Sequence, residues 1–227
     1  PKGYNATLMM DQAIDFVERH REESFFLTVS LNPPHARFTD APAEKMAMYP
    51  PGSLKIRQNT TLDEGDSGGG AFGTDEANYR GYHAHVSAVD DELGRLLAAL
   101  EANGVAEQTI VVYSSDHGSM LGSHGVGSKR QPYEESLRIP FIVYAPGIVT
   151  AQSARDELIG SIDFMPTILG LAGIDAPASC EGRDFSPWVF GELGPRPDYQ
   201  LIMHIAKGNS SQGDDHPAPL FRGIRTM

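Results

Sequence analysis

Two kinds of apolar run alternate along this chain. Within Ala6 to Val17, Met10, Ile14 and Val17 fall on one helical face beside Met9, Ala13 and Phe16. That three- and four-residue spacing predicts a first helix reaching His20. From Tyr79 onward, Tyr82, Val86, Val89, Leu93, Leu96 and Leu100 recur at the same steps, the stripe of a long core-facing helix. Thr74 suits its N-cap, Asp75 and Glu76 suit its positive start, and Gly104 suits its carboxyl-end cap. A further helix is predicted over 162–173, with Pro166 in its first turn and Gly173 just past its end.

Between these helices lie short runs with almost no polar interruption: Ser24 to Leu31, Thr109 to Ser114, and Ile139 to Tyr144. Each stops at turn-forming residues, Asn32-Pro33-Pro34-His35, Ser115-Asp116-His117-Gly118 and Ala145-Pro146-Gly147. Such runs read as strands buried on both faces of a parallel sheet. Their alternation with helices predicts an α/β fold with a mostly parallel sheet. Thr39 to Asp75, rich in Pro, Gly, Asp and Ser, reads as a long mobile excursion, with functional loop and solvated linker as equal alternatives. From about Asp175 the pattern becomes irregular, and Leu220 to Met227 reads as a strand stopped partway. There is no internal repeat.

Composition narrows the classes. A chain of 227 residues, 40% hydrophobic, can bury a real core. Net charge −12 argues against nucleic acid or an anionic membrane as partner, since either calls for a basic face. An anionic substrate would need local positive charge. No apolar run approaches the roughly 20 residues of a membrane span, so no transmembrane helix is expected. The lone Cys180 rules out an internal disulfide and a cysteine-rich zinc cage, and reads as an ordinary, partly buried thiol. The opening Pro1-Lys2-Gly3-Tyr4 has neither an initiator Met nor a signal pattern, so the true amino terminus is expected upstream, and a second truncation after Met227.

Ligands in open parallel sheets collect outside the carboxyl ends of the strands. His35 follows the first predicted strand and Asp116-His117 the second. An adjacent carboxylate and imidazole can reach one cation where the backbone turns sharply, and Gly118 permits the turn. The pair alone favours a blander reading, a strand-end aspartate capping backbone amides. Downstream, Gly118 to Lys129 is a glycine-studded loop ending in a lysine, which can bring backbone and a fixed ammonium close to a tetrahedral oxyanion. A solvated lysine is its alternative. His124 is ambiguous: the glycines beside it suit a pocket wall, and a solvated loop residue is favoured over a ligand. His83, His85, His204 and His216 carry no functional reading, and Asp90 and Asp91, pointing in different directions on a helix, read as structural or solvated.

The run Ser114-Ser115-Asp116-His117-Gly118-Ser119-Met120-Leu121-Gly122-Ser123-His124-Gly125, followed by Lys129 and by Pro132-Tyr133-Glu134-Glu135-Ser136-Leu137-Arg138-Ile139-Pro140, resembles the metal-and-lysine segment of the sulfatases. Three further pieces agree in order: Phe25-Phe26-Leu27 into Asn32-Pro33-Pro34-His35, the helix with Val89-Asp90-Asp91-Glu92-Leu93-Gly94, and Asp163-Phe164-Met165-Pro166-Thr167. The resemblance covers nearly the whole chain and fades after about Gly191.

It implies an alkaline-phosphatase-like α/β domain over residues 1–190, the carboxyl-terminal half of such a domain, and the start of a smaller subdomain over 191–227. It also implies hydrolysis of a small-molecule or glycan sulfate ester by a formylglycine beside a divalent cation, usually Ca2+, with Mg2+ and Mn2+ as alternatives. By resemblance Asp116 and His117 are metal ligands, Lys129 contacts the sulfate, and His35 lies near the ester oxygen, where it could assist the leaving group. Members typically occupy periplasmic, secreted or lysosome-like compartments.

The departures matter. The family's Cys/Ser-x-Pro-x-Arg nucleophile motif does not occur in this chain, nor do the paired aspartates and further lysine and histidine of the earlier half. The isolated chain is therefore expected to show no turnover. Two other readings stay open: a phosphonate monoester or phosphodiester hydrolase, and a non-catalytic metal- or anion-binding module. The substrate alcohol and the oligomeric state are not written in these residues.

Overall fold

Helix α1 (Asn5–His20) buries Ala6, Met10, Ala13 and Val17, successive turns of one face. That face meets the long helix α3 (Glu76–Ala102), whose buried residues include Ala84, His85, Ala88, Glu92 and Leu100. The computed structural model describes residues 3–35, 37–62, 74–149, 154–205 and 220–227. The chain divides into two compact units, the first drawn mainly from Pro1–Ala106 and Ser119–Lys129, the second mainly from Glu107–Gly118 and Arg130–Asn209.

In the first unit, the buried carboxylate of Glu92 is satisfied from both helices. Thr7 Oγ1 donates to it, and Arg95 bridges it to Asp11 of α1. The N-cap of α3 is Asp75 rather than Thr74, one residue later than expected, because the Asp75 carboxylate accepts the Asn78 amide at 2.9 Å. Gly104 takes the expected left-handed conformation past the helix end, φ +72. The short helix α2 (Ala43–Ala47) packs on α3, and Lys45 pairs there with the exposed Asp91.

The described part of the predicted excursion is more ordered than its composition suggests. Phe38 opens a 3-10 turn (Phe38–Asp40) and is buried with Tyr79 and Leu121, flanked by Leu54, Ile56, Leu62 and Tyr82. Residues 63–73, with the triple glycine, lie outside the described residues.

Ser24 to Leu31 corrects the expectation of a strand buried on both faces. The run is extended but pairs with no strand among the described residues, and its burial alternates. Phe25 turns inward, edge-on to Phe16 at 5.7 Å between ring centroids, while Phe26 is 75% exposed.

In the second unit, β1 (Val111–Ser114) pairs with β2 (Phe141–Tyr144), with helix α4 (Glu134–Leu137) between them in sequence. A 3-10 turn, Ser161–Asp163, leads into α5 (Phe164–Leu171), and α6 (Ser186–Val189) packs on α5. The strands β3 (Tyr199–His204) and β4 (Phe221–Thr226) form a second ladder, so the terminal apolar run is a strand as read.

The α/β class holds, but the pairing differs from the parallel sheet expected. Both ladders among the described residues are antiparallel, Val111 opposite Tyr144 and Tyr199 opposite Thr226. In β2 the apolar run again does not mean burial on both faces, since Ile142 is 56% exposed. No helix among the described residues is long and apolar enough to cross a membrane.

Candidate active site

Strand β1 delivers the chain to a polar turn, Ser115-Asp116-His117-Gly118. Ser114 Oγ donates to the Pro140 carbonyl at 2.8 Å, and Gly118 N donates to the Ser136 carbonyl at 2.9 Å, which fixes both ends of the turn within the second unit. Gly118 is demanded by space: a Cβ there would lie 2.1 Å from the Glu135 carbonyl oxygen.

Between these fixed ends the acid and the imidazole face each other. Asp116 Oδ1 accepts the His117 amide at 3.0 Å, and Ser115 Oγ donates to the His117 carbonyl at 3.0 Å. His117 Nδ1 lies 2.7 Å from the Gly118 carbonyl. A carbonyl only accepts, so Nδ1 carries a hydrogen and Nε2 is the ring nitrogen turned towards Asp116. That Nε2 sits 3.4 Å from Asp116 Oδ2. The turn therefore presents one oxygen and one nitrogen donor side by side, on a largely exposed carboxylate (81%).

The glycine-studded loop belongs to the first unit and has a ladder of its own. Met120 N donates to the Ser128 carbonyl at 2.8 Å and Gly122 N to the Val126 carbonyl at 2.9 Å, so the loop doubles back with His124 at its tip and Lys129, half-buried, at its base. A neighbouring segment is stitched to that tip. Thr61 N donates to the Gly122 carbonyl at 3.0 Å, His124 N to the Asn59 carbonyl at 2.7 Å, and Thr60 bridges Ser123. Gly122, at φ +85, would carry a Cβ 2.7 Å from the Thr61 carbonyl oxygen. His124 is exposed as expected, and its Nε2 meets the Asn59 amide nitrogen at 3.1 Å.

His35 is exposed in a turn closed by its own amide on the Asn32 carbonyl at 3.0 Å, after a cis Pro33–Pro34 bond. The four predicted residues thus divide, His35 and Lys129 in the first unit, Asp116 and His117 in the second, and the latter two are brought into direct contact. Sequence reasoning passed over His85, which is 3% exposed and hydrogen-bonded from two sides. The signal was there: Gly81, His85 and Glu92 share one helical face, and a polar residue on a buried face calls for partners. Cys180 is a partly buried thiol 3.8 Å from Met165 Sδ.

The α/β fold is the alkaline-phosphatase-like one that its structural neighbours share. The sulfatase family model matches residues 1–174. The chain is 32% identical over 234 residues to an ulvan-active sulfatase of Formosa agariphila, covering 98% of this chain and 42% of that protein. A solved structure from work on the metabolism of multiple glycosaminoglycans by Bacteroides thetaiotaomicron superposes with TM-score 0.84 at 29% identity, over 100% of this chain and 48% of that one. A phosphonate monoester hydrolase from Silicibacter pomeroyi shares the fold at TM-score 0.75 and 24% identity, over 87% of this chain and 44% of that one. The chain belongs to the sulfatase family and spans about half the length of the relatives it matches.

Proposed function

We propose that the protein carrying this chain hydrolyses sulfate esters, and that Asp116 and His117 hold a divalent cation for that reaction. The observation that carries the reading is the geometry of the turn: His117 Nδ1 lies 2.7 Å from the Gly118 carbonyl, and its Nε2 lies 3.4 Å from Asp116 Oδ2. A ring nitrogen oriented by a backbone carbonyl is the usual support for a metal-binding imidazole. The spacing suits two ligands of one cation, since cis ligands at about 2.3–2.5 Å from a six-coordinate ion lie about 3.3–3.5 Å apart. Among the described residues no group of three His, Cys, Asp or Glu gathers to hold a metal, so in this reading the pair would supply only part of the ligand set.

A bound cation, Ca2+ in keeping with the hard carboxylate and Mg2+ or Mn2+ as alternatives, would supply Lewis-acid stabilisation of charge on the sulfuryl oxygens. Within this chain, Asp116 and His117 orient each other, and the Lys129 ammonium neutralises a sulfate oxygen that a protein of net charge −12 would otherwise repel. His35 donates a proton or hydrogen bond to the departing ester oxygen. The nucleophile in this reading is the family's formylglycine, which these 227 residues do not supply, since no Cys/Ser-x-Pro-x-Arg occurs in them. The ulvan-active relative and the glycosaminoglycan-related structure support a glycan sulfate ester as substrate class.

The test is aryl sulfate turnover across a cation titration, in the protein carrying this chain and in its Asp116→Ala form. Loss of cation-dependent turnover is expected, and unchanged turnover overturns the assignment. The 227 residues alone are expected to be inactive; turnover surviving purification overturns the missing-nucleophile argument. The fold shared with the phosphonate monoester hydrolase favours one second reading, phosphoryl transfer at the same site. A preference for aryl phosphonate over aryl sulfate would replace the sulfatase reading with it.

A further inference from the structure

His85 engages both its ring nitrogens, and its partners lie outside its own helix. Nε2 is 3.1 Å from the Arg37 carbonyl oxygen and Nδ1 is 2.7 Å from the Tyr4 hydroxyl. The carbonyl accepts only, so the proton resides on Nε2; Nδ1 then offers a lone pair, and Tyr4 is the donor. The Tyr4 ring stacks on the imidazole, with centroids 5.6 Å apart and planes 18° from parallel. His83, two residues earlier, shows the ordinary alternative: its Nδ1 bonds the Tyr79 carbonyl of the same helix at 2.9 Å.

The carbonyl that His85 holds lies two residues past His35. The next carbonyl is held by the same helix. Phe38 O approaches Gly81, one turn before His85, so closely that a Cβ there would lie 2.2 Å away. Two consecutive peptide groups after His35 are thereby docked on α3, one by a hydrogen bond and one by a contact only glycine admits.

We propose that His85, held by Tyr4, is a positioning residue for His35: its Nε2–H anchors the backbone two residues after His35 and so sets where that imidazole meets the leaving oxygen. The proposal rests on the leaving-group role given to His35 above. The two contacts are met by a neutral ring, with the Tyr4 hydroxyl donating to Nδ1 and Nε2–H donating to the Arg37 carbonyl. Burial holds His85 below the ordinary histidine value, against the Arg37 carbonyl and the Asp40 carboxylate, which favour the proton. Glu92, from α3 itself, acts on the Tyr4 side of the pair.

The experiment compares His85→Gln, His85→Leu and Tyr4→Phe with the unaltered chain by nitrogen–proton spectra of the imidazoles and of amides 35–38, with thermal unfolding in parallel. Gln can place a donor near the Nε2 position, whereas Leu keeps bulk and loses the donor. The unaltered chain should show His85 as the Nε2–H tautomer. The His35 ring signals should move in His85→Leu and return towards the original in His85→Gln. In the protein carrying this chain, His85→Leu should lower kcat about tenfold, the worth of one well-placed hydrogen bond, with KM nearly unchanged. Unmoved His35 signals in a folded His85→Leu, or Gln and Leu behaving alike, overturn the proposal. Should Leu fail to fold, unmoved His35 signals in Tyr4→Phe overturn it equally. Unchanged turnover in His35→Ala instead refutes the role of His35, whatever the spectra show.

Discussion

Replacing Asp163 with Ala tests how the second unit is held together. The side chain is 0% exposed, yet each carboxylate oxygen is used: Oδ2 accepts the Gly160 amide at 2.8 Å and Oδ1 the Arg183 amide at 2.7 Å, twenty residues downstream. Gly182 must be glycine for that approach, since a Cβ would lie 2.0 Å from the Ile162 carbonyl oxygen. Hydrogen bonds to a carboxylate contribute about 1.5–3 kcal/mol each, so losing both predicts a loss of about 3–6 kcal/mol. That is a large share of the 5–15 kcal/mol typical of a domain. Asp163→Asn keeps one accepting oxygen and turns an amide donor towards the other amide, so about half the loss is expected. Trp188, the single tryptophan, lies in the same unit with its indole N–H on the Pro195 carbonyl at 2.8 Å, and its fluorescence in a urea titration reports unfolding there. An Asp163→Ala chain within about 1 kcal/mol of the original would refute the reasoning.

Two further outcomes are expected. Gly118→Ala drives a Cβ to 2.1 Å from a backbone oxygen, so the turn must shift; calorimetry should show at least about 2 kcal/mol lost, and an unchanged melting temperature would contradict the contact. The Tyr4–His85 pair should limit stability at both ends of the pH scale. Burial and Glu92 push the Tyr4 hydroxyl up to about 12 from 10.0, so the folded chain holds that proton more tightly. Stability from this group is present below pH 10.0 and declines as pH rises towards about 12, a limb that Tyr4→Phe should remove. His85 is shifted the other way, from 6.5 downward, so its contribution is complete above pH 6.5 and falls as the solution is acidified below it. His85→Gln should flatten that acid limb in pH-dependent unfolding.

The helices were legible because their signal is local. The 3.6-residue repeat placed α1 and α3, and Gly104 marked the end of α3, although the stripe read on α3 ran about one position off the face that is buried. Val86 is 42% exposed, whereas His85 and Glu92 are enclosed. Apolarity scored residues singly and so missed polar ones whose partners come from α1 and the turn after His35. The strand runs were legible as extended segments but not as sheet, because pairing is non-local. Phe26 and Ile142 look like core in sequence and are exposed in this chain. The Asp163 motif was read as a mark of resemblance, while its physical content, a carboxylate tying two distant amides, needed the fold. Position singled out Asp116-His117 at the end of a strand run, but its metal role came from resemblance alone. What sequence could not give was the orientation of the ring, which depends on the carbonyl of Gly118.

The two readings of Asp116, backbone cap and cation ligand, are compatible once its oxygens are separated. Oδ1 faces the His117 amide at 3.0 Å, whereas Oδ2 faces His117 Nε2 at 3.4 Å. The cap uses one oxygen and leaves the other for a ligand. Asp116→Asn then divides the roles, because asparagine caps about as well as aspartate but replaces the second oxygen with a donor and removes the charge. Its unfolding should stay within about 0.5 kcal/mol of the original, as for most exposed positions. Its hold on a cation should fall at least about tenfold, the lower bound even for groups that only support a ligand. Mn2+, which broadens nearby nuclear resonances, should broaden the His117 ring signals of the unaltered chain and spare those of Asp116→Asn at the same concentration. Equal broadening in both would mean that Asp116 is a cap alone, and the cation would have to be sought away from this turn.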